Sequence, residues 1–294
     1  MANKTSIGCG SCGNINTNRT WYNDIPYIIS DGQGSSESIE AVLTLEPGTI
    51  VKFNPGRQQV VHNTLFAEGT LEEPIYFTSI KDDAAGFESH PEWFDEDGNC
   101  IPGKACDTNG DGAATTPAPG DWNKITMEAN ATDNAYGSFK NTIFRYGSDR
   151  MIYLRNHSNN QKNNPLFSNT VFEYSSGTPL YIISSDPTVD NVTSRYNLGA
   201  AFSIDIASTY KSNIEFMNQP IVNNNGLNGV VVSYNYFGYG GCGGISTNRN
   251  WYNYVPYILS TLGNCSMTVD AEVRPQPGTI IKFPVGTKLV VNQN

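Results

Sequence analysis

Short bursts of β-branched and aromatic residues, separated by turn residues, fill the chain from Ala41 to Ile80. The bursts are Val42–Leu45, Thr49–Phe53, Gln59–His62 and Ile75–Ser79. This pattern predicts β-strands rather than helix. Each burst is too short to be stable alone, and no NG or DG pair is placed for a two-residue hairpin. We therefore expect a coil whose strands stack in parallel on the next turn, as in a β-helix.

Three near-copies further along the chain are spaced like turns of such a coil. They are FKNTIFRY, which begins at Phe139, FSNTVFEY, which begins at Phe167, and VDNVTSRY, which begins at Val189. Each copy places an asparagine at the same point, and these are Asn141, Asn169 and Asn191. Stacked asparagines can hydrogen-bond along a solenoid, so we predict a structural ladder rather than a binding site.

A much longer repeat sets the organisation of the chain. CGNINTNRTWYNDIPYIIS at Cys12 returns as CGGISTNRNWYNYVPYILS at Cys242, and the two copies keep one register as far as PGTIVKF and PGTIIKF. A period that spans most of the chain is a whole unit, not one turn. We predict a cap segment at 1–40, a parallel β-helix at 41–239, and the cap and first strands of a second unit at 240–294. The second copy is expected to add strands to the first unit's last turn, near Gly229–Phe237.

LTLEPGTIVKF, LFAEGTLEEPIYFTSIKDD, DTNGDG and PAPGDW resemble the right-handed parallel β-helix proteins of the pectate-lyase-like superfamily, above all their non-catalytic surface and secreted members. The resemblance is dense over 41–125 and is one of pattern only over 136–237. It implies an all-β, right-handed parallel β-helix. It says little about function, because lyases, hydrolases, tailspikes and adhesins share this scaffold.

Residues 81–121 interrupt the strands as one long insertion, and long loops on compact scaffolds tend to be functional. Asp107, Asn109, Asp111 and Gly112 have the D-x-N-x-D-G spacing that suits Ca²⁺, with the carbonyl of Ala113 as a further ligand. The EF-hand glutamate position is Ala118, so this is not an EF-hand. In the resembling family such a loop lies beside the β-helix, which implies that Asp82, Asp83 and Asp121 complete the ligand shell. The alternative is a turn-rich loop without metal.

Six cysteines allow up to three disulfides. Cys100 and Cys106 flank IPGKA and predict a disulfide that closes a short loop. The other candidate pairs are Cys9 with Cys12, and Cys242 with Cys265. Zinc would need a second C-x-x-C, which Cys242 and Cys265 do not supply. An extracellular location follows if these thiols are oxidised.

Aromatic residues recur in both copies of the repeat: Trp21 and Tyr22 return as Trp251 and Tyr252. Such rings could stack on sugars. We favour the alternative that they cap an open end of the coil, where apolar interior and strand edges need cover.

Composition and charge narrow the function classes. The net charge of −10 and pI near 4.7 disfavour nucleic acid or anionic lipid as a partner. No apolar run is long enough to insert in a membrane, and the first residues do not form an export signal. We expect that signal elsewhere in a longer parent protein.

Catalytic residues are not apparent in the middle turns. The acids Glu173, Asp186, Asp190, Asp205 and Glu215 are scattered singly, and His62, His90 and His157 lie far apart. Arg145, Glu173 and Arg195 share one position of successive turns and predict a surface charge ladder.

The sequence therefore predicts a non-enzymatic structural or adhesive module of a large extracellular or cell-surface tandem-repeat protein, stabilised by Ca²⁺. Its expected partners are neighbouring repeat units and cell-surface glycans. The alternative is a β-helix protein that binds or degrades polysaccharides, either as an enzyme or as a tailspike-like fibre.

Overall fold

A computed structural model describes residues 5–7, 14–30, 36–129, 135–156, 164–206, 212–234, 243–261 and 266–292. These residues form a parallel β-solenoid of about nine turns with almost no helix, which confirms the predicted fold class. No helix in the described ranges is long and apolar enough to span a membrane.

Thirty short strands make up the described coil. In chain order the first twenty-three are β1 (Thr5–Ile7), β2 (Asn14–Ile15), β3 (Arg19–Trp21), β4 (Tyr27–Ile29), β5 (Ser36–Ile39), β6 (Val42–Leu45), β7 (Ile50–Phe53), β8 (Gln58–Val61), β9 (Thr64–Glu68), β10 (Ile75–Ser79), β11 (Ile125–Ala129), β12 (Tyr136–Lys140), β13 (Thr142–Arg145), β14 (Ile152–Asn156), β15 (Leu166–Ser168), β16 (Val171–Glu173), β17 (Leu180–Ile183), β18 (Thr188–Asp190), β19 (Thr193–Arg195), β20 (Ala200–Asp205), β21 (Glu215–Phe216), β22 (Ile221–Asn223) and β23 (Leu227–Tyr234). The second copy contributes β24 (Gly244–Ile245), β25 (Arg249–Trp251), β26 (Tyr257–Thr261), β27 (Ser266–Val269), β28 (Val273–Pro275), β29 (Ile281–Lys282) and β30 (Lys288–Val291).

Each turn gives one strand to each of three sheets. Sheet A runs β1-β4-β7-β10-β13-β16-β19-β22, sheet B runs from β2 through β5 and β8 to β23, and sheet C runs β3-β6-β9-β12-β15-β18-β21. Every ladder between described strands of these sheets is parallel, as in the pairing of Val42 with Thr64 and of Ile75 with Thr142. The strand Thr64–Glu68 was not among the predicted bursts, although its side chains alternate between intermediate exposure and burial as a strand requires.

The interior of the coil is largely apolar, and its side chains are arranged in stacks. Phe77, Phe144 and Phe172 lie over one another in sheet A, with ring centroids 4.9 and 5.4 Å apart. Phe53 stacks on Trp122 at 4.4 Å, and both rings are fully buried. Because identical faces of successive strands point inward, each turn places an apolar side chain directly on that of its neighbour.

The three predicted asparagines occupy the corner between a strand of sheet C and the next strand of sheet A. Asn141, Asn169 and Asn191 all have φ between 45° and 49°, the left-handed region that asparagine tolerates better than most residues. Asn191 donates to the amide oxygen of Asn169 at 2.6 Å, as the ladder predicts. Asn141 instead donates to the carbonyl of Gly69 at 2.8 Å, because no asparagine precedes it on the neighbouring turn.

Arg145, Glu173 and Arg195 stack in register on sheet A, which confirms the predicted charge ladder. Arg195 contacts the Glu173 carboxylate at 2.7 Å, and Arg145 approaches it at 3.8 Å. The description of this ladder as a surface feature was wrong for two members: the side chains of Glu173 and Arg145 are only 5 and 14% exposed. Asp82, at the start of the insertion, pairs with Arg145 and helps to bury it.

The second copy continues the first coil directly. β26 pairs in parallel with β23, and β29 pairs with β26, so PYILS and part of GTIIKF extend sheet B as expected. At the other end of the chain, β1 to β5 already belong to sheets A, B and C. The unit boundaries at residues 40 and 240 stay predictions.

Candidate cation site in the insertion

The insertion between β10 and β11 packs on the outer face of sheet A. Within it the structure has a single 3₁₀ turn, Pro91–Trp93, and no strand of the coil. A second apolar cluster joins this segment to the sheet, formed by Ile50, Tyr76, Ala85, Trp93, Phe94 and Cys106. Gly86 has φ +92°, and a Cβ there would lie 2.3 Å from Ile50 Cδ1, so this close approach requires glycine.

Cys100 and Cys106 form the predicted disulfide. The carbonyl of Cys106 accepts a hydrogen bond from Lys52 Nζ at 2.6 Å. Lys52 is completely buried, because the insertion covers the outward position that strand alternation gives it. Burial lowers the pKa of Lys52 to about 8, and nearby Asp82 and Asp83 oppose that shift.

Two of the predicted ligands are held in ion pairs. Asp82 is 1% exposed and accepts from Arg145 Nε at 2.5 Å and Nη2 at 2.9 Å, and it also accepts from the Thr78 hydroxyl. Asp121 accepts from Lys81 Nζ and from the Ser79 hydroxyl, both at 2.8 Å. These contacts fix the two ends of the insertion to the coil. Neither carboxylate belongs to the cluster described next.

Asp83, Asp107 and Asp111 do converge. Each offers a carboxylate oxygen, and the three oxygens lie within 4.8 Å of one another, the one such group of three metal-ligand side chains found in the described ranges. Asp83 and Asp107 line a cavity of about 340 Å³, together with Ala84, Gly98, Asn99, Cys100, Gly112 and Ala113. Ala113 therefore lies beside the cluster, as its predicted role requires.

Turn hydrogen bonds shape the D-x-N-x-D-G loop. The Asp107 carboxylate accepts from the backbone N–H of Gly110 at 2.8 Å, Asp111 at 3.1 Å and Gly112 at 3.3 Å. The side-chain amide of Asn109 donates to Asp111 Oδ2 at 2.8 Å. Asn109 thus supports Asp111 and turns its nitrogen, not its oxygen, toward the cluster.

The electrostatics of the cluster favour a cation. Burial raises the pKa of Asp83 to about 6, Lys52 lowers it, and Asp107 and Asp111 raise it further. Asp83 Oδ1 is buried without a hydrogen-bond partner. Three carboxylates facing one ammonium leave an excess of negative charge, and a carboxylate-rich oxygen set of this kind fits a hard divalent ion. The buried Lys52 ammonium offsets part of this negative charge.

The two repeated tryptophans are buried within the coil. Trp21 and Trp251 are 3 and 2% exposed and stack on Tyr27 and Tyr257, with centroids 4.5 and 4.9 Å apart. Their faces are enclosed in the coil, so neither tryptophan is available for stacking on a sugar. Tyr22 is 54% exposed, whereas Tyr252 packs edge-on against Phe216 at 5.8 Å.

A second groove, of about 400 Å³, crosses the outer face of sheet B where the two copies meet. Ser203 and Ser233 line it from the first copy, and Ser260 from the second. The Arg150 guanidinium lies over the Tyr181 ring at 4.5 Å. The junction adds Ser260 to the side chains that the first copy supplies.

The residues considered for catalysis do not assemble into one site among the described side chains. Glu173 is ion-paired with two arginines, and the Asp190 carboxylate accepts from Ser168 at 3.1 Å and Asn218 at 2.6 Å. His90 stacks on Trp93 at 3.9 Å. His157, Cys9, Cys12, Cys242 and Cys265 lie outside the described residues.

Sequence reasoning missed Lys52 and Gln59. Both lie inside alternating strands, and only tertiary contacts decide that they are buried. Comparison with family models, with curated proteins and with solved structures gave no match. The fold therefore defines the class, a parallel β-solenoid, and the superfamily named above stays a prediction.

Proposed function

We propose that this chain is a structural module of an extracellular or cell-surface protein built from tandem β-solenoid units. One observation carries the proposal: the second copy of the repeat extends the coil of the first through the β23–β26 ladder. Val230 pairs with Tyr257 and Val232 with Leu259, and all four side chains are at most 1% exposed. The apolar interior is thus continuous across the junction, which makes neighbouring units one stiff body.

The last turn of the second copy differs in exposure from its equivalent in the first copy. Ile280, Phe283 and Val291 are 55, 50 and 70% exposed, whereas the equivalent residues Ile50, Phe53 and Val61 are at most 1% exposed. In the first copy the insertion and the next turns cover those positions.

Removal of the second copy tests the module. We expect a 1–241 chain to lose roughly 2–5 kcal/mol of unfolding free energy or to aggregate, because Val230, Val232 and the β23 edge become exposed. Leu259→Asp should act in the same direction in the full chain, and Val285→Asp, at a fully exposed position, is the matched control. Urea unfolding and light scattering measure both effects. A 1–241 chain that is monomeric and equally stable would make the second copy an independent passenger and end the proposal.

The proposal includes Ca²⁺ as a stabilising ion, held by Asp83, Asp107 and Asp111. Because Lys52 lies beside the cluster, we expect a Kd for Ca²⁺ of about 10⁻⁴–10⁻³ M, the range of extracellular modules. Millimolar Ca²⁺ should raise the melting temperature of the parent chain but not that of Asp83→Asn, which removes charge without breaking a hydrogen bond of Oδ1. Asp95→Asn, in the same insertion but outside the cluster, is the control. If Ca²⁺ raises the melting temperature of both variants equally, Ca²⁺ does not bind at this site.

An extracellular location is supported by two features. The Cys100–Cys106 disulfide suits an oxidising compartment. A net charge of −10 suits a setting rich in cations.

A further inference from the structure

Equivalent strands of the two copies lie in different sheets. β4 (Tyr27–Ile29) belongs to sheet A, where it pairs with β7. Its equivalent in the second copy, β26, extends sheet B through β23. Likewise, β29 matches part of β7 in sequence but lies in sheet B. The second copy is therefore turned by one face relative to the first.

The number of strands in one unit explains this rotation. Successive strands visit sheets B, C and A in strict order from β2 to β23. In the described chain β26 lies 22 strands after β4, and seven complete turns of three strands use 21 of them. One strand is left over. Each unit is thus seven turns and one third, and the following unit must start on the next face.

The two copies also show what a preceding unit covers. Arg19 is exposed, whereas its equivalent Arg249 is 5% exposed. The negative charge of Asp186, in the first copy, stabilises the Arg249 guanidinium electrostatically. Tyr22 is 54% exposed, whereas Tyr252 packs against Phe216. The last turns of one unit therefore offer an acid and an aromatic ring to the first turns of the next. The exposed N-terminal turn of the first copy presents the matching groups.

We infer that the last turns of one copy are the docking surface for the first turns of another, with a rotation of one face, about 120°, at every junction. The inference rests on the proposed tandem array. At about 4.8 Å per turn, one unit rises about 35 Å, and three units complete 22 turns in about 106 Å. Insertions of successive copies, each over the outer face of an A-type strand, then point in three directions around the fibre. The groove beside Arg150 recurs at each junction.

Two double-cysteine variants of the full chain distinguish this geometry from an in-phase junction. Ser233 and Ser260 are register partners in sheet B, so Ser233→Cys with Ser260→Cys places two thiols on adjacent strands within disulfide range. An in-phase junction would instead put Ile258 on the column that runs from Ile28 and Lys52 to Arg195 and Asn223. The double variant Asn223→Cys with Ile258→Cys would form a cross-link only in that in-phase arrangement. Mild oxidation or a short bismaleimide forms the link between the two introduced cysteines. Peptide mapping then distinguishes this link from links that involve the native cysteines.

We expect the 233–260 pair to link in most molecules and the 223–258 pair to remain unlinked. Linkage of 223–258 without 233–260 would overturn the rotation but leave a continuous array. Failure of both pairs under both reagents would show that the copies are not stacked, and would overturn the rotation together with the proposed function.

Discussion

A buried carboxyl near the start of the coil makes stability depend on pH. Glu37 faces inward on β5, is 9% exposed, and pairs in register with Gln59. Burial raises the pKa of Glu37 from 4.5 to about 7. Gln59 is fully buried, and neither polar atom of its amide has a hydrogen-bond partner in the described structure. The second copy has Met267 and Leu289 at these two positions.

The sign of the effect follows from linkage. Because the folded-state pKa is raised, the protonated carboxyl is favoured in the folded chain; its contribution is complete below pH 4.5 and is lost as pH rises through 7. A pKa moved from 4.5 to about 7 corresponds to about 3 kcal/mol, which is the upper limit of the loss.

Replacing Glu37 by the residue of the second copy tests this magnitude. Glu37→Met should raise the free energy of unfolding at pH 8 by about 3 kcal/mol more than it does at pH 4.5. Glu72→Gln, an exposed change of the same charge, controls for net charge. Urea unfolding of the three chains at pH 4.5, 6 and 8 provides the comparison. If the difference between the parent chain and Glu37→Met does not change with pH, the carboxyl is not desolvated and the reasoning fails.

Two further predictions concern the contacts of sheet A. Asp82→Ala should lower the free energy of unfolding by about 3–5 kcal/mol, because it leaves Arg145 buried without its main partner. Lys140→Ala, which breaks the exposed pair with Glu68, should lower it by about 0–1 kcal/mol. Equal losses of the two variants in urea unfolding would contradict the role assigned to Asp82. Asn169→Ala should destabilise by about 1–2 kcal/mol through its left-handed φ of 49°, and Asn169→Gly, which removes the ladder hydrogen bond but fits that φ, should lose less; the opposite order in thermal unfolding would show that the ladder, not the backbone, dominates.

The sequence alone determined much of the architecture. Strand bursts, turn spacing and the near-copies at Phe139 and Phe167 predicted a parallel coil, because alternation and turn chemistry are local properties. The long repeat likewise predicted that PYILS would continue the first coil, and the ladder with β23 confirms it. The Cys100–Cys106 disulfide could also be predicted from the sequence, because the two cysteines are only 6 residues apart.

Part of the candidate site could also be predicted. The D-x-N-x-D-G spacing placed Asp107 and Asp111 on one turn, and Asp83 joins them. Asp82 and Asp83 are neighbours in sequence, yet strand and turn geometry send them to different partners. Asp82 meets Arg145, which lies far along the chain, and no local pattern could signal that.

Only the tertiary structure decided what the insertion covers and how the copies are turned. Lys52 alternates outward like any surface lysine and is buried because a distant segment of the chain, at Cys106, lies over it. Trp21 could stack on sugars or cap an end of the coil by sequence, and only the structure shows that it is buried against Tyr27. The rotation between copies depends on the number of strands in a whole unit, and one strand more or less would change it. Because this rotation depends on the total number of strands in a unit, no single sequence position encodes it, and only the folded structure shows it.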